Sequence, residues 1–394
     1  MVYIIILTIL FLYSAWEIRI GPVDKRDLVY WFFLIVFILI SGLRWKVGGD
    51  SFAYQELFEM NLDTKMGFFD LLEENLKYEP FFLMFMVLCK AIINEFWFFQ
   101  LCHAIFINIT IFYFIRRYCT LKFTGLLIYS FFFYFYFNME ILREAIAVCI
   151  FLWMYPFFVK RKWIKYYLLA LVAIMFHYSA LTLLFFPIFR NVTFKFKSAI
   201  VIVVIVFAIV IFSANFSSFL GMVGQDSLAT RYLLYSNVTL NVFGIVYNSI
   251  FYVILPYFFY VFNKARNYPE NFPSLLFLYF LIAIIFCVIS GFGRLLNYLT
   301  PFLAVYYVNS IKQISYDRNV RQIKWLLLLI VLGVPFCMKT MYYYQSTSNL
   351  VPNTRKINLW YPYSTIMTKD EYLNREYIYK AGIGESFEKA IENL

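Results

Sequence analysis

Long runs of uncharged, apolar residues recur along almost the whole chain, and Lys and Arg gather in short clusters between them. Crossing the hydrocarbon core of a bilayer takes about 20 apolar residues of helix, with a range of roughly 17–25. Runs of that order begin near residues 2, 28, 96, 121, 198, 242, 273, 294 and 323, and a further one covers 141–159 with Arg143 and Glu144 at its start. Residues 80–93 form a shorter run, and 165–189 a longer one interrupted by His177. Lipid offers a spanning backbone no water to bond, so such runs become helices. The expected fold is an all-α polytopic integral membrane protein with about 10–13 membrane-embedded helices. Charged residues at 14% and apolar residues at 63% close off the soluble alternative, because soluble domains carry about 25% charged residues. The first run has no basic leader and no clear cleavage site, and reads as a retained helix.

Orientation follows from the basic clusters, since Lys and Arg are retained in cytoplasmic loops. Six clusters can all be placed inside: Arg19 to Arg26, Arg116 to Lys122, Lys160 to Lys165, Arg190 to Lys197, Lys264 with Arg266, and Lys312 to Lys324. The parity works if 80–93 does not cross fully and if 165–189 enters and returns with His177 near its deepest point. On this reading residues 1–341 form a single transmembrane domain, with outer segments at 44–79 and 216–241. A polar tail, 342–394, follows on the outer face. The net charge of +11 belongs to the membrane loops, and no nucleic acid is expected as a partner. Six cysteines without a CxxC pair suggest neither a disulfide framework nor a zinc site, and read as buried small hydrophobes. P-loop, HExxH, nucleophile-elbow and complete GxGxxG patterns are absent, which argues against soluble nucleotide chemistry.

Ionisable residues within apolar runs are costly, roughly 2.5–3.5 kcal/mol each at mid-bilayer, and invite functional readings. In residues 41–59 Arg44 ends an apolar helix, and Gly48-Gly49 turns Asp50 toward Tyr54. The helix that follows places Tyr54 and Phe58 on one stripe, with Glu56 and Glu59 off it, as suits an interfacial helix. In residues 138–151 Glu140, Arg143 and Glu144 fall on one helical face. That spacing suits an internal salt bridge as well as an anion grip. His177, beside Tyr178 and Ser179, is the better catalytic candidate of the two histidines, and His103 reads as a packed helix residue. In residues 291–302 two glycines precede Arg294, with Tyr298 one turn later. Arg44, Arg143, Arg231 and Arg294 all fall on the expected outer side, and guanidinium groups suit bidentate binding of phosphate. A lipid pyrophosphate is the anion that a membrane enzyme would meet there.

The string LRWKVGGDSFAYQELF at 43–58 resembles the arginine, V-G-x-D and tyrosine signature of the EpsG family of Wzy-type polysaccharide polymerases. YEP at 78–80, LREAIA at 142–147, FHYSAL at 176–181, Arg294 with Tyr298, and WYPYS at 360–364 follow in that family's order. Glu144 stands where the family more often carries Gln. The resemblance implies an enzyme, of GT-C-like architecture, that joins oligosaccharide repeat units carried on undecaprenyl pyrophosphate at the outer face of a bacterial cytoplasmic membrane. It implies no cofactor, metal or nucleotide sugar, and leaves room for a chain-length regulator as partner. Arg44, Arg143, Arg231 and Arg294 would hold the pyrophosphate. The base would be His177, Asp50 or Glu144, while Tyr54, Glu79 and Tyr298 would contact the glycan. Rival readings are a polyprenyl-linked glycosyltransferase or glycan ligase, an O-acyltransferase using His177, and a flippase for lipid-linked sugars.

Overall fold

A computed structural model describes residues 2–21, 27–62, 78–192, 248–269, 271–288, 290–317, 322–344, 346–347, 354–370 and 375–378, with a few isolated positions besides. The expected span near 198, the loop 216–241 and Arg231 lie outside the described residues. The described part is helical. Its strand-like pairing is confined to two isolated bridges, Arg44 with Thr365 and Ser346 with Arg355.

The chain divides into two compact units, residues 1–180 with 325–394, and residues 181–324. The first contains α1 (Val2–Ile20), α2 (Asp27–Gly42) and α3, in which Ser51–Glu56 runs on into a π turn, Leu57–Asn61. Next come α4 (Pro80–Ile92) and α5 (Phe96–Tyr118). Lys122–Tyr129, a π turn at Ser130–Tyr134 and Phe135–Met139 together make α6. α7 (Leu142–Val159) and α8 (Trp163–Phe176) complete the series. The second unit holds α9 (Ser249–Ala265), α10 (Pro273–Val288) and α11 (Gly293–Tyr316). α12 (Ile323–Tyr343) returns the chain to the first.

By length and composition α1, α5 and α7 can each cross a membrane, and seven other apolar segments among the described residues are shorter. The 13 residues of α4 rise about 20 Å, short of the roughly 30 Å hydrocarbon core. The 165–189 run is not one helix. It breaks at His177 and continues as 3-10 turns at Tyr178–Leu184 and Phe186–Phe189. Exposed apolar side chains such as Ile4, Ile5 and Leu12 on α1, and Ile164, Leu168 and Leu171 on α8, form faces that water would not tolerate and lipid would.

Helices in the first unit are joined by hydrogen bonds that hydrophobicity alone would not supply in lipid. Glu17 of α1 accepts from the backbone N–H of Thr124 at 2.9 Å and from its hydroxyl at 3.1 Å, capping the start of α6. The Tyr30 and Tyr134 hydroxyls donate to the carbonyls of Phe112 and Phe37, each at 2.6 Å. Gly42 lets α2 approach α5, for a Cβ there would lie 2.9 Å from the Leu101 Cα. His103 is fully buried on α5, as the sequence suggests, and its Nε2 lies 3.0 Å from the Leu142 carbonyl at the head of α7. All six cysteines are free; four are buried, Cys102 is half-buried and Cys337 is exposed.

Candidate active site

The charged residues that apolar helices keep are placed by four helix ends in the first unit. α6 ends at Met139 and the chain turns at 140–141, so α7 opens with Leu142, Arg143 and Glu144 in its first turn. This corrects the expected face of Glu140, Arg143 and Glu144: Glu140 stands outside α7, since Ile141 leaves helical geometry. The carboxylate that Arg143 meets comes from far along the chain. Pro80, which lacks an N–H, starts α4 and leaves Glu79 as its N-cap. The carboxylate of Glu79 thus sits at the positive end of a helix dipole. α8 stops at Phe176, and His177 takes an extended conformation at the negative end of that helix. α3 lays Tyr54 and Phe58 inward, 5% and 1% exposed, and leaves Glu56 and Glu59 in solvent, as its stripe predicts.

These ends converge on Glu79, whose two oxygens are divided between cationic partners. Arg143 Nη1 lies 2.6 Å from Oε2, and His177 Nδ1 lies 2.7 Å from Oε1. The Tyr178 backbone N–H donates to Oε1 at 3.3 Å. Arg143 Nε donates to the Tyr54 hydroxyl at 3.1 Å, and the guanidinium lies over the rings of Tyr78 and Tyr54, at 5.1 and 6.0 Å from their centroids. Glu144 Oε2 is 3.5 Å from His177 Nε2. Glu79, Glu144 and His177 are buried, whereas the Arg143 side chain is 20% exposed. Burial pushes the Glu79 carboxyl up, but the His177 hydrogen bond and the Arg143 charge outweigh it and hold the group below its ordinary value. Burial pushes the Tyr54 hydroxyl up to about 12 against the opposing charge of Arg143, so it stays a phenol.

The arrangement can orient a proton acceptor. With Nδ1–H given to Glu79, a neutral His177 turns its lone pair to Nε2, the ring atom that is buried with no hydrogen bond. With Glu79 on one ring nitrogen and Glu144 3.5 Å from the other, Nε2 of a neutral His177 stands where histidine can take a proton from a hydroxyl that enters beside Glu144. Among the described residues no group of three His, Cys, Asp or Glu side chains is arranged to hold a metal ion.

Of the residues singled out in the sequence, Tyr54, Glu79, Arg143, Glu144 and His177 are brought together. Asp50 is exposed at the N-cap of α3. Arg44 is 1% exposed and partly committed to backbone: its Nε donates to the Val47 carbonyl at 3.0 Å and its Nη1 to the Ser41 carbonyl, while its Nη2 is buried with no hydrogen-bond partner. Burial pushes its guanidinium down to about 10. Arg294 and Tyr298 belong to the second unit, where Arg294 is exposed in the first turn of α11 and Tyr298 is buried one turn later. Sequence reasoning missed Tyr78, whose ring faces Arg143, although it stands next to Glu79 in YEP.

Fold and site define an all-α polytopic membrane protein with a buried ionisable cluster. The chain belongs to the EpsG family, whose family model matches residues 27–365. This Wzy-type polymerase-like family gives the chain, in general terms, a membrane polysaccharide polymerase-type function. No curated protein and no solved structure matches it.

Proposed function

We propose that this chain is a Wzy-type polymerase, which moves a growing glycan from undecaprenyl pyrophosphate to the non-reducing end of another lipid-linked repeat unit. The reaction takes place at the outer face of the cytoplasmic membrane. The observation that carries this reading is the Glu79–His177 pair with Arg143 on the same carboxylate. The acceptor hydroxyl approaches His177 Nε2, in the space shared with Glu144. Its oxygen bonds to the anomeric carbon of the donor while the bond from that carbon to the pyrophosphate oxygen breaks. The electron pair leaves on undecaprenyl pyrophosphate, and the hydroxyl proton goes to His177 Nε2.

Each residue has a distinct part. Glu79 fixes the tautomer of His177 and stabilises the imidazolium as it forms. Arg143, steadied by Tyr54 and Tyr78, offsets the charge that builds on the leaving pyrophosphate, which is where an electrostatic contact lowers a barrier most. The leaving group is already activated, so neither a nucleotide sugar nor a metal enters the scheme. Glu144 holds the hydroxyl toward Nε2, and Asp50 and Glu144 are the rival bases. Arg231 and Arg294 as further pyrophosphate ligands rest on their expected place on the outer side, and Tyr298 as a glycan contact on its place one turn after Arg294.

The test is incubation of purified protein in detergent with its lipid-linked repeat unit, extracted from cells lacking the gene, alongside His177→Ala and Arg143→Ala. A glycan ladder that forms without added nucleotide sugar or metal, and is lost in both variants, is the expected result. Addition of a single sugar or an acyl group, or mere passage of the unit across a vesicle wall, would overturn it.

A further inference from the structure

Arg375 lies beyond the residues matched by the family, in a helical turn at 375–378, and is 1% exposed. Its hydrogen bonds go to backbone, and the guanidinium lies 5.0 Å from the centroid of the Tyr372 ring. Nε donates to the Asn358 carbonyl at 3.0 Å, Nη1 to the Lys46 carbonyl at 2.8 Å, and Nη2 to the Pro362 carbonyl. Two of these carbonyls belong to the C-terminal segment and the third to the loop between α2 and α3. The same two stretches exchange backbone bonds, from Trp45 N to Ser364 O at 3.0 Å, Gly48 N to Leu359 O at 2.9 Å, and Ile366 N to Leu43 O at 3.0 Å. On its other side the loop is pressed against the turn before α7: Gly48 has a φ of +109°, and a Cβ there would lie 2.6 Å from the Met139 carbonyl. The loop runs directly into α3, tied at its start by Ser51 Oγ donating to the Val47 carbonyl at 2.8 Å. α3 then presents Tyr54 to Arg143.

We propose that Arg375 is a positioning residue for this site: by clasping the C-terminal segment to residues 43–48 it sets α3 so that the Tyr54 hydroxyl receives Arg143 Nε. The proposal rests on the polymerase reading for its activity readout, but not for its structural one. A planar fork that reaches three carbonyls at once is a task for arginine rather than lysine, whose ammonium is a single point of donation. Arg375 touches none of the reacting groups, and its influence passes through the loop and α3.

The experiment compares full-length wild type, Arg375→Ala, Arg375→Lys and Tyr54→Phe, with Arg375→Ala also made in the Tyr54→Phe background. Amide hydrogen exchange is followed at 51–61, and ladder formation is measured per folded molecule. Arg375→Ala should speed exchange at 51–61, with α5 and α7 unchanged, and lower turnover about tenfold with little change in KM; this equals roughly 1.4 kcal/mol. In the Tyr54→Phe background Arg375→Ala should cost nothing more, the signature of two residues acting as one unit. Arg375→Lys should fall between, and it carries the test if Arg375→Ala does not accumulate. Unchanged exchange at 51–61, an additive double variant, or a lower yield with unaltered turnover would each overturn the proposal. If wild type forms no ladder, the polymerase reading fails, and exchange at 51–61 alone decides the fate of the clasp.

Discussion

Two kinds of arginine are held within the first unit, one half-buried and one fully buried, and they differ in what they bond. Arg143 meets a carboxylate, a phenol and two aromatic faces, and keeps its side chain 20% exposed. Arg44 and Arg375 are each 1% exposed and have backbone carbonyls as their acceptors. Carbonyl dipoles bond most of these N–H groups without cancelling the charge, Nη2 of Arg44 being left buried without a partner, so such an arginine fixes chain segments at the cost of burying a cation. A carboxylate that also holds a histidine does something else: it links the cation to a group that can carry a proton. The type of partner, more than the presence of an arginine beside an apolar helix, separates a structural clasp from a site for chemistry.

The contrast breaks most readily at Arg143. Arg143→Ala removes one of the two partners of Glu79 and leaves it His177, so it should lower stability and cost at least about a hundredfold in polymerisation. Thermal unfolding and ladder intensity read the two effects separately. Arg143→Lys keeps a charge near Glu79 but loses the fork, so activity should fall further than stability. Next in size is His177→Gln, which removes the proton acceptor; about 10²–10⁴-fold in turnover should go while the unfolding midpoint moves little by comparison. A folded His177→Gln enzyme with wild-type rate would transfer the base to Glu144 or Asp50.

Arg44 should give the opposite pattern. Arg44→Lys loses hydrogen bonds from a charged donor to the Ser41 and Val47 carbonyls, on the order of 1.5–3 kcal/mol, and because Val47 lies in the loop that Arg375 clasps, the surviving folded protein should lose no more turnover than Arg375→Ala does. A well-folded Arg44→Lys protein that makes none would erase the distinction and return Arg44 to the pyrophosphate.

How much of this could be read beforehand depends on the range of the contact. Apolar run length identifies most helices, because a bilayer sets that length, and the π turn within α6 leaves no mark in it. The stripe of Tyr54 and Phe58 is local and legible. Glu79 is harder. It stands just before α4, where composition shows only a turn, and its partners lie 64 and 98 residues away at Arg143 and His177. Periodicity instead offers Arg143 the nearby Glu140, which the turn at 140–141 removes from the helix. Arg375 leaves even less signal, being a charged residue in a polar tail, where the ordinary expectation is a solvated surface.

The smallest effect concerns acid. The carboxyl of Glu79 is held below its ordinary value in the folded protein, so the native state binds its proton more weakly than the unfolded chain does. Stability therefore rises with pH wherever the unfolded chain still holds that proton. The contribution of Glu79 is fully present above the ordinary carboxylate value of 4.5 and is lost as pH falls through the depressed folded value. Glu79→Gln cannot titrate and should flatten this acid limb, leaving the unfolding midpoint less dependent on pH below about 4.5 than in wild type. Arg44→Lys, which touches no carboxylate of the cluster, should retain the wild-type slope there. The slope itself, measured in the two variants side by side, separates the network that carries a proton from the clasp that does not.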